Sequence, residues 1–266
     1  MHIHGGKVPY LSFKIFDGIP FVKSAVSTRH GGVSQGETYS SLNLGTGTAD
    51  DRENIIGNYR RFCSAAGFDI NRLVLAKQTH CANVRVVTES DAGKGVLRER
   101  DYDDVDALIT NVSNLPLVIH TADCVPVALV DTKNRAIGNA HCGWRGTYAS
   151  LAKIMLEAMG REFGTDPRDV TAAIGPCICE KCYEVSHDLH EEFASKFGYD
   201  DCITECGGRY YLNLPGINRR ILIDSGVSAD SIAVSDICTC CNCEDMFSHR
   251  GLGPKRGIIG SFLEIE

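Results

Sequence analysis

The chain has 266 residues, 43% hydrophobic and 23% charged, with a formal net charge of -7 and thirteen cysteines. This is ordinary globular composition, and mild acidity with scattered Lys and Arg argues against a nucleic-acid surface. No run approaches the roughly 18 apolar residues of a membrane span, no signal-peptide pattern opens the chain, and an odd cysteine count cannot pair fully into disulfides, so reduced thiols in the cytoplasm are expected.

Tyr10 to Phe16 and Phe21 to Ser27 are β-like runs separated by Asp17 and Gly18, which predicts a hairpin. Thr28 to Gly47 is a glycine-rich polar loop, either a surface Ω-loop or a functional one. Asp50 to Gly67 reads as a helix capped by Asp50 or Asp51, with Ile55, Ile56, Tyr59, Phe62 and Cys63 as its apolar stripe. Leu73 to Ala76 and Val84 to Val87 are short strands, and Glu89 to Asp106 reads as an exposed charged loop whose carboxylates are solvated or structural. Leu115 to His120 is a strand, and Val125 to Val130 and Arg135 to Ala140 are adjacent buried strands joined by the polar turn Asp131 to Asn134. One helix is expected over Gly146 to Phe163, then a strand at Val170 to Ile174, a helix at Ser186 to Phe197 and a strand at Tyr210 to Leu214. A helix at Ile217 to Ser225 and strands at Ser231 to Ser235 and Arg256 to Ile265 complete the chain. Many short strands without strict βα alternation predict a mixed-sheet α/β or α+β fold, and no linker or repeat divides residues 1–266, so a single domain is expected.

Cys124 opens one of the adjacent strands and His141 closes the next, so antiparallel pairing brings thiol and imidazole together. His80, just past the Leu73 to Ala76 strand, is the third candidate. Two imidazoles and one thiolate suit zinc with a fourth position left open; the plain alternative is a buried thiol and two core histidines. Cys142 should point away from His141, because side chains alternate along a strand. Two further cysteine runs stand apart. Cys177, Cys179 and Cys182 look like a metal motif without a local fourth ligand and read as incidental thiols, whereas Cys238, Cys240, Cys241 and Cys243, followed by His249, form the strongest rival metal signal.

The segments KQTH, TADCVPV and AHCGWRG carry these residues, with STRHGGVSQGETYSSLNLG before them and AAIGPCICEKCYEV and CTCCNCEDMFSHR after. Together, over nearly the whole chain, they resemble the YfiH type of laccase-domain proteins, also called multicopper polyphenol oxidase-like or purine nucleoside phosphorylase YfiH. The resemblance implies a layered α/β/β/α domain and a zinc-dependent purine nucleoside phosphorylase. Its substrates would be adenosine, inosine, guanosine and 5'-methylthioadenosine with inorganic phosphate as co-substrate, and it would also deaminate adenosine. Zinc and catalysis would rest on His80, Cys124 and His141. Asn43 would lie on the substrate side and Arg60 or Arg61 would receive phosphate. Asp123 would orient a histidine or take a proton from bound water, Trp144 would wall the pocket, and Arg145 and Arg250 would support substrate.

The sequence departs from relatives at Tyr59, where many carry arginine, at His120, which reads as a packed histidine rather than a ligand, at Cys142, and at His249 and Gly251 beside Arg250. The zinc-deaminase signature H-x-E with P-C-x-x-C is absent, so the deaminase expectation rests on resemblance alone. Three rivals stand beside this reading. A Cys-His amide hydrolase acting on a cell-wall precursor peptide would use Cys124 as nucleophile and His141 as base. A copper-dependent polyphenol oxidase would need more ligands than these three, and a metal-binding module would hold the ion without turnover.

Overall fold

A computed structural model describes all residues, Met1–Glu266. Fifteen short strands and six helices follow one another as β1 (His2–His4), β2 (Tyr10–Ser12), β3 (Val22–Ser27), α1 (Arg52–Ala66), β4 (Val74–Leu75), β5 (Val84–Val86), β6 (Ala107–Thr110), β7 (Leu117–Thr121), β8 (Val125–Asp131) and β9 (Ala136–Cys142). Then come α2 (Trp144–Tyr148), α3 (Leu151–Phe163), β10 (Val170–Ile174), β11 (Glu184–Val185), α4 (His187–Phe197), β12 (Ile203–Cys206), β13 (Arg209–Leu212), α5 (Leu214–Asp224), β14 (Ile232–Val234), α6 (His249–Leu252) and β15 (Ile259–Ile265).

The strands form two six-stranded sheets, ordered β1-β2-β3-β15-β7-β4 and β14-β10-β8-β9-β6-β5, and a small third sheet, β11-β13-β12. Alternation of side chains assigns each strand to two cores at once. In β15, Ile259, Leu263 and Ile265 join the core between the large sheets, while Phe262 faces the other way, towards α1. In β8, Ala128 and Val130 enter that central core while Val125, Val127 and Leu129 pack under α3 and α5. Asn139 of β9 crosses between the sheets, donating to the carbonyls of Leu117 and Ser261 at 3.2 and 3.0 Å. The layering is therefore helix, sheet, sheet, helix.

Helix α1 starts after extended Asp51 and stops at Gly67, whose φ of 78° ends the helix in the left-handed conformation that glycine tolerates. Ile55, Tyr59, Phe62 and Cys63 of the expected stripe are buried, while Ile56 is only half-buried and Asn58 is buried in addition. The helix expected over Gly146 to Phe163 is instead two. Ser150 turns to a φ of 61° and separates α2 from α3, and Thr147 ties the short helix to the carbonyl of Cys142. Trp144 and Arg145 therefore stand on a short helix beginning right after β9. Strand β1 was not anticipated, since three residues carry too little pattern to register.

Candidate functional site

The site forms where strand ends of the two large sheets meet. β8 and β9 pair antiparallel with Pro126 opposite His141 and Val125 opposite Cys142, which brings Cys124 to the end of the hairpin beside His141. β4 pairs with β7, and the segment after β4 is pinned to β7 by Gln78, whose amide donates to the His120 carbonyl and accepts its N–H. That fixes where His80 emerges. One ligand atom from each of His80, Cys124 and His141 lies within 4.8 Å of the other two. Cys142 points into the core, as strand alternation requires, and burial pushes its thiol up.

Asp106 holds this arrangement together. It is fully buried, and its carboxylate accepts the backbone N–H groups of Thr79, His80 and Cys81 at 2.9, 3.2 and 3.1 Å. It also meets Nδ1 of His141 at 2.7 Å, leaving Nε2 of that ring for the site. Burial acts to raise its pKa, but His141 and the amides outweigh it and hold the carboxyl down at about 2. The reading of Glu89 to Asp106 as an exposed loop is thus corrected at Asp91, Lys94, Val96, Tyr102, Val105 and Asp106, all buried, and Asp106 is a structural carboxylate that supports the histidines.

Burial would raise the Cys124 thiol, yet His141 and His80 together depress it below the ordinary range. Burial would likewise lower His141, and Cys124 and Asp106 raise it instead. The pair therefore favours thiolate, the form required of a metal ligand or a nucleophile. Gly143 keeps the centre clear. A Cβ there would sit 2.9 Å from the Cys124 sulfur and 3.2 Å from Cδ2 of His80, filling the space the three side chains face. His80 and Asp123 hold positive φ values of 64° and 95°, unusual for non-glycine residues. These donors fit a metal ion: a soft thiolate, one oriented imidazole, an exposed imidazole and a cleared centre.

Two cavities of about 360 Å³ each open on the cluster and share His80, Ala122, Cys124 and Arg256. The first is polar, bounded by the Gly45 to Thr48 loop, Gln78, Arg100 and His120. The second has Trp144, Tyr183 and Leu214 for walls, with Arg145, His249 and Arg250 at its margin. His120 lines the first cavity outside the ligand cluster; burial lowers its pKa to about 3, and its ring meets the Tyr59 hydroxyl at 2.6 Å.

Other expected residues fall elsewhere. Asn43 is fully buried, and its amide binds Gly45, Thr48, Asp50 and Ile258, so it shapes the loop of the first cavity instead of facing substrate. Arg60 and Arg61 lie exposed on α1 and border neither cavity. Asp123 touches no histidine. It accepts from the Thr239 hydroxyl at 2.6 Å and the Arg250 N–H at 2.7 Å, joining the hairpin end to the segment before β15. Arg145 and Arg250 do reach a cavity, Arg145 lying 4.2 Å over the Trp144 ring. Arg100 and Tyr183 carried no sequence signal because they sit in or beside loops without periodicity, and Arg256 was read as part of the closing strand, which begins only at Ile259. Arg256 borders both cavities, and its Nε is buried without a partner.

A model of the family described as multi-copper polyphenol oxidoreductase laccase matches residues 23–266. The chain is 34% identical over 237 residues to adenosine deaminase RL5 of an unknown prokaryotic organism, covering 88% of this chain and 90% of that protein. It is also 34% identical over 260 residues to a purine nucleoside phosphorylase of Bacteroides thetaiotaomicron, covering 96% of each. The fold superposes on the crystal structure of the hypothetical protein YfiH of Bacillus licheniformis with a TM-score of 0.92 at 30% identity, over 99% of both chains.

Proposed function

The chain belongs to the multi-copper polyphenol oxidoreductase laccase family, and from that premise we propose that it is a zinc-dependent purine nucleoside phosphorylase that also deaminates adenosine. The observation that carries the reading is the meeting of two cavities at one metal-capable cluster, His80, Cys124 and His141. Relatives named for purine nucleoside phosphorolysis and adenosine deamination support the same assignment. Adenosine, inosine, guanosine and 5'-methylthioadenosine are the proposed substrates. No helix is long and apolar enough to cross a membrane, and we place the enzyme in the cytoplasm.

Trp144 and Tyr183 give the purine aromatic surfaces to stack on. Arg256, between the cavities with an unpartnered Nε, is the proposed phosphate ligand, because a guanidinium forks onto phosphate oxygens. Arg145 and Arg250 add positive charge at the purine side. In phosphorolysis a phosphate oxygen bonds to C1' of the ribose as the bond from C1' to the purine breaks, and the base leaves with the electron pair. Positioning of phosphate by arginine and of base by aromatic walls is the main contribution such a reaction asks of the protein. His80, Cys124 and His141 would hold a zinc ion, which would supply the Lewis acidity and the activated water that deamination requires. Asp106 keeps His141 in one tautomer and direction throughout. Three ligands suit one ion, whereas polyphenol oxidation by several coppers needs further donors.

The test is chromatography of adenosine incubated with the purified protein, with and without inorganic phosphate. Adenine and ribose 1-phosphate appearing only with phosphate, and inosine appearing in both samples, is the expected result. Unchanged adenosine in both overturns the proposal. The depressed Cys124 thiol beside His141 then makes a cysteine amide hydrolase the reading to pursue.

A further inference from the structure

A second cysteine cluster lies outside the cavities' shared centre. β10 and β14 are parallel neighbours, Ile174 opposite Val234, so the segments leaving their ends emerge side by side. The first carries Cys179 and Cys182, the second Cys238 and Cys241. Their backbones are laced together: Cys177 and Cys238 form a parallel bridge, the Cys177 N–H donates to the Ile237 carbonyl at 3.4 Å, and the Thr239 N–H donates to the Cys177 carbonyl at 3.0 Å. The four sulfurs of Cys179, Cys182, Cys238 and Cys241 consequently lie within 4.8 Å of one another, with Cys182 and Cys241 at 3.4 Å.

Four observations converge on a bound ion. Each half is a C-x-x-C pair, the spacing by which one turn presents two thiolates to a single ion. Tetrahedral zinc, with Zn–S bonds of about 2.3 Å, holds its sulfurs roughly 3.8 Å apart, which is the scale of this cluster. The N–H groups of Cys179 and Cys241 both point at the Cys238 sulfur, at 3.2 and 3.4 Å, and such donors stabilise a thiolate. The neighbouring thiols are otherwise occupied: Cys177 is buried in a core, and Cys243 faces the carbonyl of Cys240 at 3.1 Å.

We propose that Cys179, Cys182, Cys238 and Cys241 bind a structural zinc ion that staples the segment after β10 to the segment after β14. The incidental-thiol reading of Cys179 and Cys182 is thereby replaced, because their missing partners lie in the later segment. Four protein ligands close the coordination sphere and leave no position for substrate, so the role is structural. The staple matters to the neighbouring site. Ile178 and Tyr183, on the first segment, line the aromatic cavity, and Thr239, on the second, hydrogen-bonds Asp123.

The experiment is metal analysis of the full-length protein by plasma mass spectrometry, read independently of activity. Wild type should carry one zinc ion per chain more than Cys182→Ser/Cys241→Ser, and Cys124→Ala should retain that ion. Cobalt loaded into Cys124→Ala should show the intense visible bands and thiolate charge transfer of a tetrahedral tetrathiolate, absent once Cys182→Ser is added. Cys241→His should restore stoichiometric metal, since imidazole replaces thiolate in such sites, and it separates lost ligation from failed folding. Equal metal content in wild type and Cys182→Ser/Cys241→Ser would overturn the proposal. So would a folded Cys124→Ala protein that holds no metal and has these four cysteines free or paired in disulfides.

Discussion

His80, Cys124 and His141 sit at strand ends with cavities against them, and His80 is exposed; Cys179, Cys182, Cys238 and Cys241 sit on two segments whose backbones are stitched to each other. The donors are similar and the surroundings differ. At the first cluster Gly143 and the positive φ of His80 hold space open, and a buried carboxylate orients the ring of His141. At the second, backbone amides and four sulfurs gather round one centre, and a separate cavity of about 350 Å³ borders Cys179 and Cys238. The number of protein ligands, three leaving a coordination position free and four filling the sphere, separates a site that reacts from a site that fastens.

The sharpest way to break this contrast is Cys124→Ala, which should lower adenosine deamination about a thousandfold while moving the unfolding midpoint by only a few degrees. Rates of inosine formation and a thermal melt decide it, and retained deamination would place that chemistry elsewhere. Gly143→Ala tests the open space itself. With a methyl group 2.9 Å from the Cys124 sulfur, activity and metal affinity should fall on the order of a hundredfold with the fold intact, by turnover assay and circular dichroism. Asp106→Asn should cost about 10- to 100-fold in metal affinity, measured by competition with a chelator. Arg256→Ala should raise the KM for phosphate about tenfold and leave adenosine deamination nearly unchanged, which steady-state kinetics in both assays would check. Thr239→Val, which removes the hydrogen bond to Asp123 between the two regions, should change kcat only about two- to threefold; a larger loss would mean the clusters are coupled more tightly than the contrast allows.

Much of this was readable along the chain. Short apolar runs bounded by turns located most of the strands, and the stripe of α1 matched its buried residues, because burial on one face writes a period into the sequence. Cys124 and His141 were legible for the same reason: a hairpin with a short polar turn determines which ends meet. The layering, by contrast, came through family resemblance, since periodicity does not say which sheet covers which. Asp106 was grouped with the solvated or structural carboxylates of an acidic run, and its contacts with three amides and an imidazole depend on strands distant in the chain. Asn43 suited a ligand by its chemistry but spends its whole amide on its own loop. Arg256 was read as the start of the closing strand, which begins only at Ile259, so its side chain was not expected at the site. The four-cysteine cluster was divided between one motif that lacked a fourth ligand and another that offered other candidates of its own, and only the parallel pairing of β10 with β14 joins them.

The single carboxylate of Asp106 has a consequence for how the protein comes to life after synthesis. It binds the segment bearing His80 and the ring of His141 together, and its own strand neighbour, Ala107, pairs with Ala140 of β9. Neither histidine is therefore set until strands distant in the chain have found each other, a slow class of folding event. Recovery of turnover on refolding should act as a clock for the closing of that sheet, lagging behind the return of helical signal from α1 and α3.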